Sequence, residues 1–256
     1  METNSRVLEW VEKMAQDLRC VGVRAGGVLL VHASLRSLGE RPGGAEGAVL
    51  GLLEALGEGG TLLMPALSYA SVGPKQPCFD ARSTPSCVGA LPEYFRTRGG
   101  TLRSVHPTHS VSGVGRLAGE LLRDHHLDIT PCGPRSPFSR LREVGGQILF
   151  LGCGMRPNTS MHAIEEHVEP PYLFAEVVEY RLVHLDGTES TAQVRSHHFA
   201  GYQQRYDRLE GVLGQDGLRK GRVLQAECCL VEVEKMWPAA LKELRRDPFY
   251  FVEAIA

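Results

Sequence analysis

Residues Ile148-Leu149-Phe150-Leu151-Gly152-Cys153-Gly154-Met155-Arg156-Pro157-Asn158-Thr159-Ser160-Met161-His162-Ala163-Ile164-Glu165-Glu166-His167 describe a strand handing over to a helix. Four apolar residues make a buried strand, a glycine-containing turn follows, and Asn158-Thr159-Ser160 offer capping side chains before a helical run. His162 is followed at i+3 and i+4 by Glu165 and Glu166, so an imidazole and at least one carboxylate share a helix face. A carboxylate that orients a histidine and stabilises its protonated form suits a general base near neutral pH. A capped amphipathic helix with a solvated charged face is the competing reading.

Outward from this segment the chain alternates. Residues 5–20 carry an apolar stripe of Val7, Leu8, Val11, Met14, Ala15 and Leu18, an amphipathic first helix. Gly26-Gly27 open Val28-Leu29-Leu30-Val31, a strand covered on both faces. It ends in the loop His32 to Gly39, at the carboxyl end of a central strand, where open α/β sheets place ligands. A second helix runs from Gly43-Gly44 through Leu56, and Gly60 starts the strand Thr61 to Pro65. Such alternation predicts a mostly parallel sheet with helices on its faces.

Residues 68–87 read as a long irregular loop of functional type, followed by a helix from about Gly89 to Thr97. Asp80 in that loop is either a substrate contact or an Asx-type turn. Arg103-Ser104-Val105-His106-Pro107-Thr108-His109-Ser110 gathers side chains for a polar pocket, with Pro107 biasing His106 to an extended backbone. The alternative is a turn that leaves His109 in solvent. After Val111 to Gly115 a helix is expected over about Arg116 to Asp124, and Ser136-Pro137 starts a short capped helix. Asp186-Gly187 marks a hairpin within Glu176 to Val194. An amphipathic helix over roughly Phe199 to Leu213, a strand over about Arg222 to Val233 and a helix near Pro238 to Arg245 complete the expectation.

A formal charge of −2 with dispersed Lys and Arg carries no footprint of a nucleic-acid partner. Seven cysteines with no C-x-x-C argue against a zinc cluster or a disulfide framework and fit a cytoplasmic protein with reduced thiols. No stretch approaches the ~20 apolar residues of a membrane span. His162 and His167 stand about 140° apart on a helix, neither H-E-x-x-H nor H-x-x-E-H occurs, and no catalytic metal is expected. Leu151-Gly152-Cys153-Gly154 is a partial nucleotide-loop match whose third glycine would fall on Pro157, and no G-x-S-x-G provides a serine elbow.

Taken in order, several blocks resemble the aminoglycoside 3-N-acetyltransferase family over essentially the whole chain. They are Val31-His32-Ala33-Ser34-Leu35-Arg36-Ser37-Leu38-Gly39 with Gly43-Gly44, Gly60 to Pro65, Arg103-Ser104-Val105-His106-Pro107 with Ser110, Ser136-Pro137, Leu151-Gly152 with Asn158 to Glu165, and Asp247-Pro248. The resemblance implies a single acetyltransferase domain over residues 1–256, built as a three-layer α/β/α sandwich, that moves an acetyl group from acetyl-CoA to the 3-amino group of an aminoglycoside. It implies His162 as catalytic base, Glu165 as its partner acid, and the segments Ser34, Leu35, Arg36, Ser37 and Arg103, Ser104 near the CoA.

Chemistry extends that picture. The Thr159 or Ser160 hydroxyl is placed to receive charge developing on the thioester oxygen. His106 is a further catalytic candidate and His32 a substrate contact, each competing with a hydrogen-bonded structural role. Asn158, Asp80, Glu166, Asp207 and Glu210 are candidate partners for a polycationic acceptor. His197 and His198 can approach it from beyond the hairpin. A covalent route through Cys153, a different primary-amine acceptor, and a CoA-binding protein without turnover are the alternatives. A monomer or homodimer without membrane or nucleic-acid partners is expected.

Overall fold

Twelve strands and seven α-helices order the chain in the computed structural model, which describes residues 2–255. The first half contains α1 (Glu2–Val21), β1 (Val28–Ala33), α2 (Gly44–Leu56), β2 (Thr61–Pro65), β3 (Cys78–Asp80), α3 (Ala90–Thr97), β4 (Leu102–Arg103), β5 (Val111–Gly115), α4 (Ala118–Leu122) and α5 (Pro137–Arg140). The second contains β6 (Gln147–Leu151), α6 (Ser160–Glu166), β7 (Phe174–Val183), β8 (Glu189–His197), β9 (Tyr202–Gln204), β10 (Leu218–Val223), β11 (Ala226–Glu232), α7 (Val233–Arg246) and β12 (Val252–Ala254).

The main sheet has the order β10-β11-β6-β1-β2-β5-β4. Its centre, β6-β1-β2, is parallel, and β11 and β5 alone run against the other five strands. Alternation along the central strands builds two cores. Leu30, Leu63, Ile148 and Phe150 face α4 to α7, whereas Leu29, Leu62, Leu149 and Leu151 face α1 to α3. The result is the expected α/β/α sandwich. The hairpin β7-β8 turns at Asp186-Gly187 and takes β3 as a third strand, enclosing a small core around Phe79, Tyr180 and Leu182.

Local chemistry departs from the sequence pattern in five places. The helix expected over Phe199 to Leu213 is instead β9 and a 3-10 turn, Tyr206–Gly211. Phe199 and Gly201 take positive φ, and Tyr202 and Gln204 pair with the returning β12, so tertiary pairing overrides the helical stripe. The strand expected over Arg222 to Val233 is the second arm of the β10-β11 hairpin, turned by Leu224-Gln225, with Leu224 at positive φ. Cys78–Asp80 is a strand inside the expected loop, and α7 begins at Val233 and carries Pro238 internally. Finally, Thr159 takes the N-cap position of α6 without a side-chain capping bond.

Candidate functional site

The carboxyl ends of β1, β2 and β6 open into a cavity of about 440 Å³. His32 and Ala33 come from β1, Pro65 and Leu67 from the end of β2, and Cys153, Arg156 and Pro157 from the turn after β6. Thr159 and His162 enter from α6, and His197, Phe199, Gln204 and Tyr206 close the far wall. Gly152 makes the turn possible: it sits at φ +68°, and a Cβ there would lie 1.7 Å from Ser37 Oγ.

His162 and Glu165 meet on this wall as the i,i+3 spacing requires. His162 Nδ1 is 3.1 Å from Glu165 Oε2 and 2.8 Å from Tyr206 Oη. Tyr206 donates to Glu165 Oε2 at 2.6 Å and Tyr172 donates to Oε1 at 2.9 Å. Burial, reinforced by the Glu165 charge, holds both phenols far above their ordinary range, so they stay protonated donors. With the Tyr206 proton committed to Glu165, the proton between imidazole and phenol belongs to His162 Nδ1. In the neutral ring Nε2 then carries the lone pair, and the ring lines the cavity.

Four more histidines form a buried wall behind and beside it. His125 stacks on His106 at 4.8 Å, His106 meets His109 edge-on at 6.1 Å, and His109 and His197 stand 5.7 and 4.8 Å from His162. Burial pushes all four imidazoles below their ordinary value, His125 to about 4. His32 stacks flat on Phe150 at 5.1 Å and is lowered to about 3, first by burial and then by repulsion from His162.

Several expected assignments are corrected. Arg103, expected near the CoA, is spent within the fold: its buried guanidinium donates to the carbonyls of Ala66, Ala81 and Thr84 and to Ser110 Oγ, over the Phe79 ring. Burial lowers it to about 9. Ser104 is equally occupied, accepting from Val111 N–H and bonding His125 Nδ1. His106 does not line the cavity; its Nδ1 accepts the backbone N–H groups of Thr108 and His109 and so fixes the His109 segment. His109, far from solvent, is buried on the cavity wall.

Asp80 closes the Asx-type turn onto Arg82 N–H and pairs with that guanidinium, away from the cavity. Asn158 is fully buried against Met236, and Glu166 faces backwards, accepting from Thr130, Cys132 N–H and His197. Burial raises Glu166 to about 7 despite those donors. Asp207 pairs with Arg205 and Arg156 at the rim, and Glu210 pairs with Lys220. Cys153 is not a favoured thiolate, because burial pushes its thiol up to about 12.

Ser34 to Ser37 form a tight turn beyond β1, held by Ser37 Oγ donating to Ser34 O at 2.6 Å. Leu35 packs on the core, while Arg36 is exposed and makes no ion pair among the described residues. Tyr206, Tyr172 and Arg156 are site residues that sequence reasoning passed over.

An imidazole held by a buried carboxylate and lining a cavity at the carboxyl ends of the central strands is an arrangement suited to proton transfer. Residues 30–245 match the family described as aminoglycoside 3-N-acetyltransferase, and the chain belongs to that family. It is 32% identical over 252 residues to the aminoglycoside N(3)-acetyltransferase IV of Salmonella sp, covering 95% of this chain and 91% of the relative. Among solved structures it resembles a His-to-Ala mutant of aminoglycoside acetyltransferase AAC(3)-IVa in complex with a gentamicin, with a TM-score of 0.79, 30% identity and coverage of 93% and 89%. It also resembles AAC-IIIb in a binary complex with CoASH, with a TM-score of 0.77, 26% identity and coverage of 91% and 95%. No helix among the described residues is long and apolar enough to cross a membrane.

Proposed function

We propose that the chain transfers acetyl directly from acetyl-CoA to the 3-amino group of an aminoglycoside, with His162 as general base. The observation that carries this is the single-proton logic of Tyr206, Glu165 and His162, which leaves Nε2 unprotonated toward the cavity. The neutral amine attacks the thioester carbon and its N–H proton passes to His162 Nε2. The imidazolium is balanced by Glu165 behind it. As the tetrahedral intermediate collapses, the C–S bond breaks and the imidazolium returns a proton to the CoA sulfur.

Thr159 lines the cavity with only a 3.5 Å contact to Pro157 O, so its hydroxyl is free to donate to the developing oxyanion. Exposed Arg36 and the rim Arg156 suit the CoA phosphates. The test is thiol release from acetyl-CoA with a panel of aminoglycosides. Turnover in wild type, lost in His162→Ala with acetyl-CoA binding retained, supports the reading; undiminished turnover in the variant refutes it.

One observation favours a second acceptor class. Among the described residues, no carboxylate lines the cavity, whereas four histidines and Arg156 do. A primary amine of lower charge than an aminoglycoside fits such a wall, and turnover confined to monoamines in the same assay would select it.

A further inference from the structure

Three of the cavity histidines are arranged as no hydrogen-bonded core requires. His109, His162 and His197 come from three separate elements and are packed edge to edge with ring centroids 4.8 to 5.7 Å apart. One ring nitrogen from each lies within 4.8 Å of the other two. Each ring also has one nitrogen held by a neighbour: His162 Nδ1 by Glu165, His197 Nε2 by Glu166 Oε1 at 2.7 Å, and His109 Nδ1 by Thr108 Oγ1 at 2.9 Å. His197 Nδ1 is buried without any partner, on a side chain 3% exposed.

From this arrangement we infer that His109, His162 and His197 bind a divalent first-row transition cation, zinc foremost, and that the bound cation takes the His162 lone pair and so inhibits acetyl transfer. Neutral imidazoles whose outer nitrogens donate to carboxylate or hydroxyl oxygens are what such an ion selects, since the outer acceptor fixes the tautomer and raises ligand basicity. A tetrahedral zinc with bonds of ~2.0–2.1 Å needs nitrogens roughly 3.4 Å apart, so the rings close by up to about 1.4 Å. The fourth position opens to the cavity. Binding and turnover then exclude one another, because base and ligand are the same nitrogen, and a cationic acceptor meets a second positive charge beside Arg156.

The site itself rests on geometry alone; the inhibition rests on His162 as base, and the experiment separates the two. Cobalt(II) chloride titrated into the wild-type chain should give the intense visible absorption of a four-coordinate ion, and zinc should displace it. His109→Ala and His197→Ala should each abolish that absorption, and Glu166→Gln should weaken cobalt binding roughly 10–100-fold through loss of the outer acceptor. Folding of each variant is checked by circular dichroism, and the wild-type titration decides even if one variant fails to fold. No such absorption in wild type, its persistence in both histidine variants, or a thiolate-to-cobalt charge-transfer band would overturn the site. Zinc inhibition of thiol release that follows cobalt displacement supports the whole proposal. Metal bound at the three histidines with transfer undiminished would leave the site standing and sink the base assignment.

Discussion

Replacing Glu165 by glutamine tests the chemistry with least change of shape. The carboxylate is fully buried, and its oxygens take three donors: Tyr172 Oη, Tyr206 Oη and His162 Nδ1. In the transition state the ring becomes an imidazolium 3.1 Å from Glu165 Oε2. With charge centres about 4 Å apart and an effective dielectric of ~20, the attraction is about 4 kcal/mol. That magnitude corresponds to about a thousandfold in rate, inside the 10²–10⁴-fold range of positioned acid–base groups. Glutamine abolishes the counter-charge and keeps one acceptor oxygen, so Tyr172 and Tyr206 compete for it.

The assay is thiol release from acetyl-CoA under saturating acceptor, with the variant's folding checked by thermal denaturation. We expect kcat to fall by about three orders of magnitude while KM for acetyl-CoA moves little, because no CoA contact is assigned to Glu165. A folded Glu165→Gln enzyme with kcat within roughly threefold of wild type would show that Glu165 serves packing alone, and the charge argument would fail.

Asp128 gives a pH prediction. Its carboxyl is buried beside Arg135 N–H and raised by burial to about 6, so the folded state favours the protonated form. Stability from that preference is present below the ordinary ~3.8 and lost as pH rises through about 6, up to about 3 kcal/mol. Asp128→Asn should gain Tm relative to wild type between pH 4 and 6, and a pH-independent difference would refute it. Arg103→Ala leaves the Ala81 and Thr84 carbonyls without a donor and Ala66 O with Ser110 Oγ alone, a loss of at least ~2 kcal/mol and roughly 5 °C in Tm, with KM for acetyl-CoA unchanged; a raised KM with unchanged Tm would return Arg103 to the cofactor. Cys153→Ala should keep turnover within about twofold, since a thiol raised to about 12 supplies no thiolate, and lost turnover would revive the covalent route.

The central layers and the His162–Glu165 pair were legible because each depends on local periodicity: apolar runs for β1, β2 and β6, and i,i+3 spacing on α6. Tyr206 was not. Its spacing from Tyr202 and Leu209 mimics a helix, and only the pairing of β9 with β12 reveals a turn that delivers its hydroxyl to His162. Leu224 escaped for a related reason, holding a hairpin turn at positive φ without the Asn-Gly signature of such turns. Arg103 misled because a motif position says nothing of burial, and the carbonyl of Ala66 that claims it lies 37 residues earlier.

The same limit explains where the acids went. Sequence reasoning placed carboxylates against the acceptor's ammonium groups, yet Glu165 and Glu166 stand one layer behind the cavity, each holding a histidine by its outer nitrogen. A carboxylate facing the reacting amine would stabilise its ammonium form and oppose the deprotonation that attack requires. Behind the imidazole, the same charge instead stabilises the proton once it has been transferred. Placing the acid at second remove therefore lets one buried negative charge favour the product of proton transfer over its reactant, and makes the outer nitrogen of His162, rather than the cavity wall itself, the place where the chain's electrostatics act on the reaction.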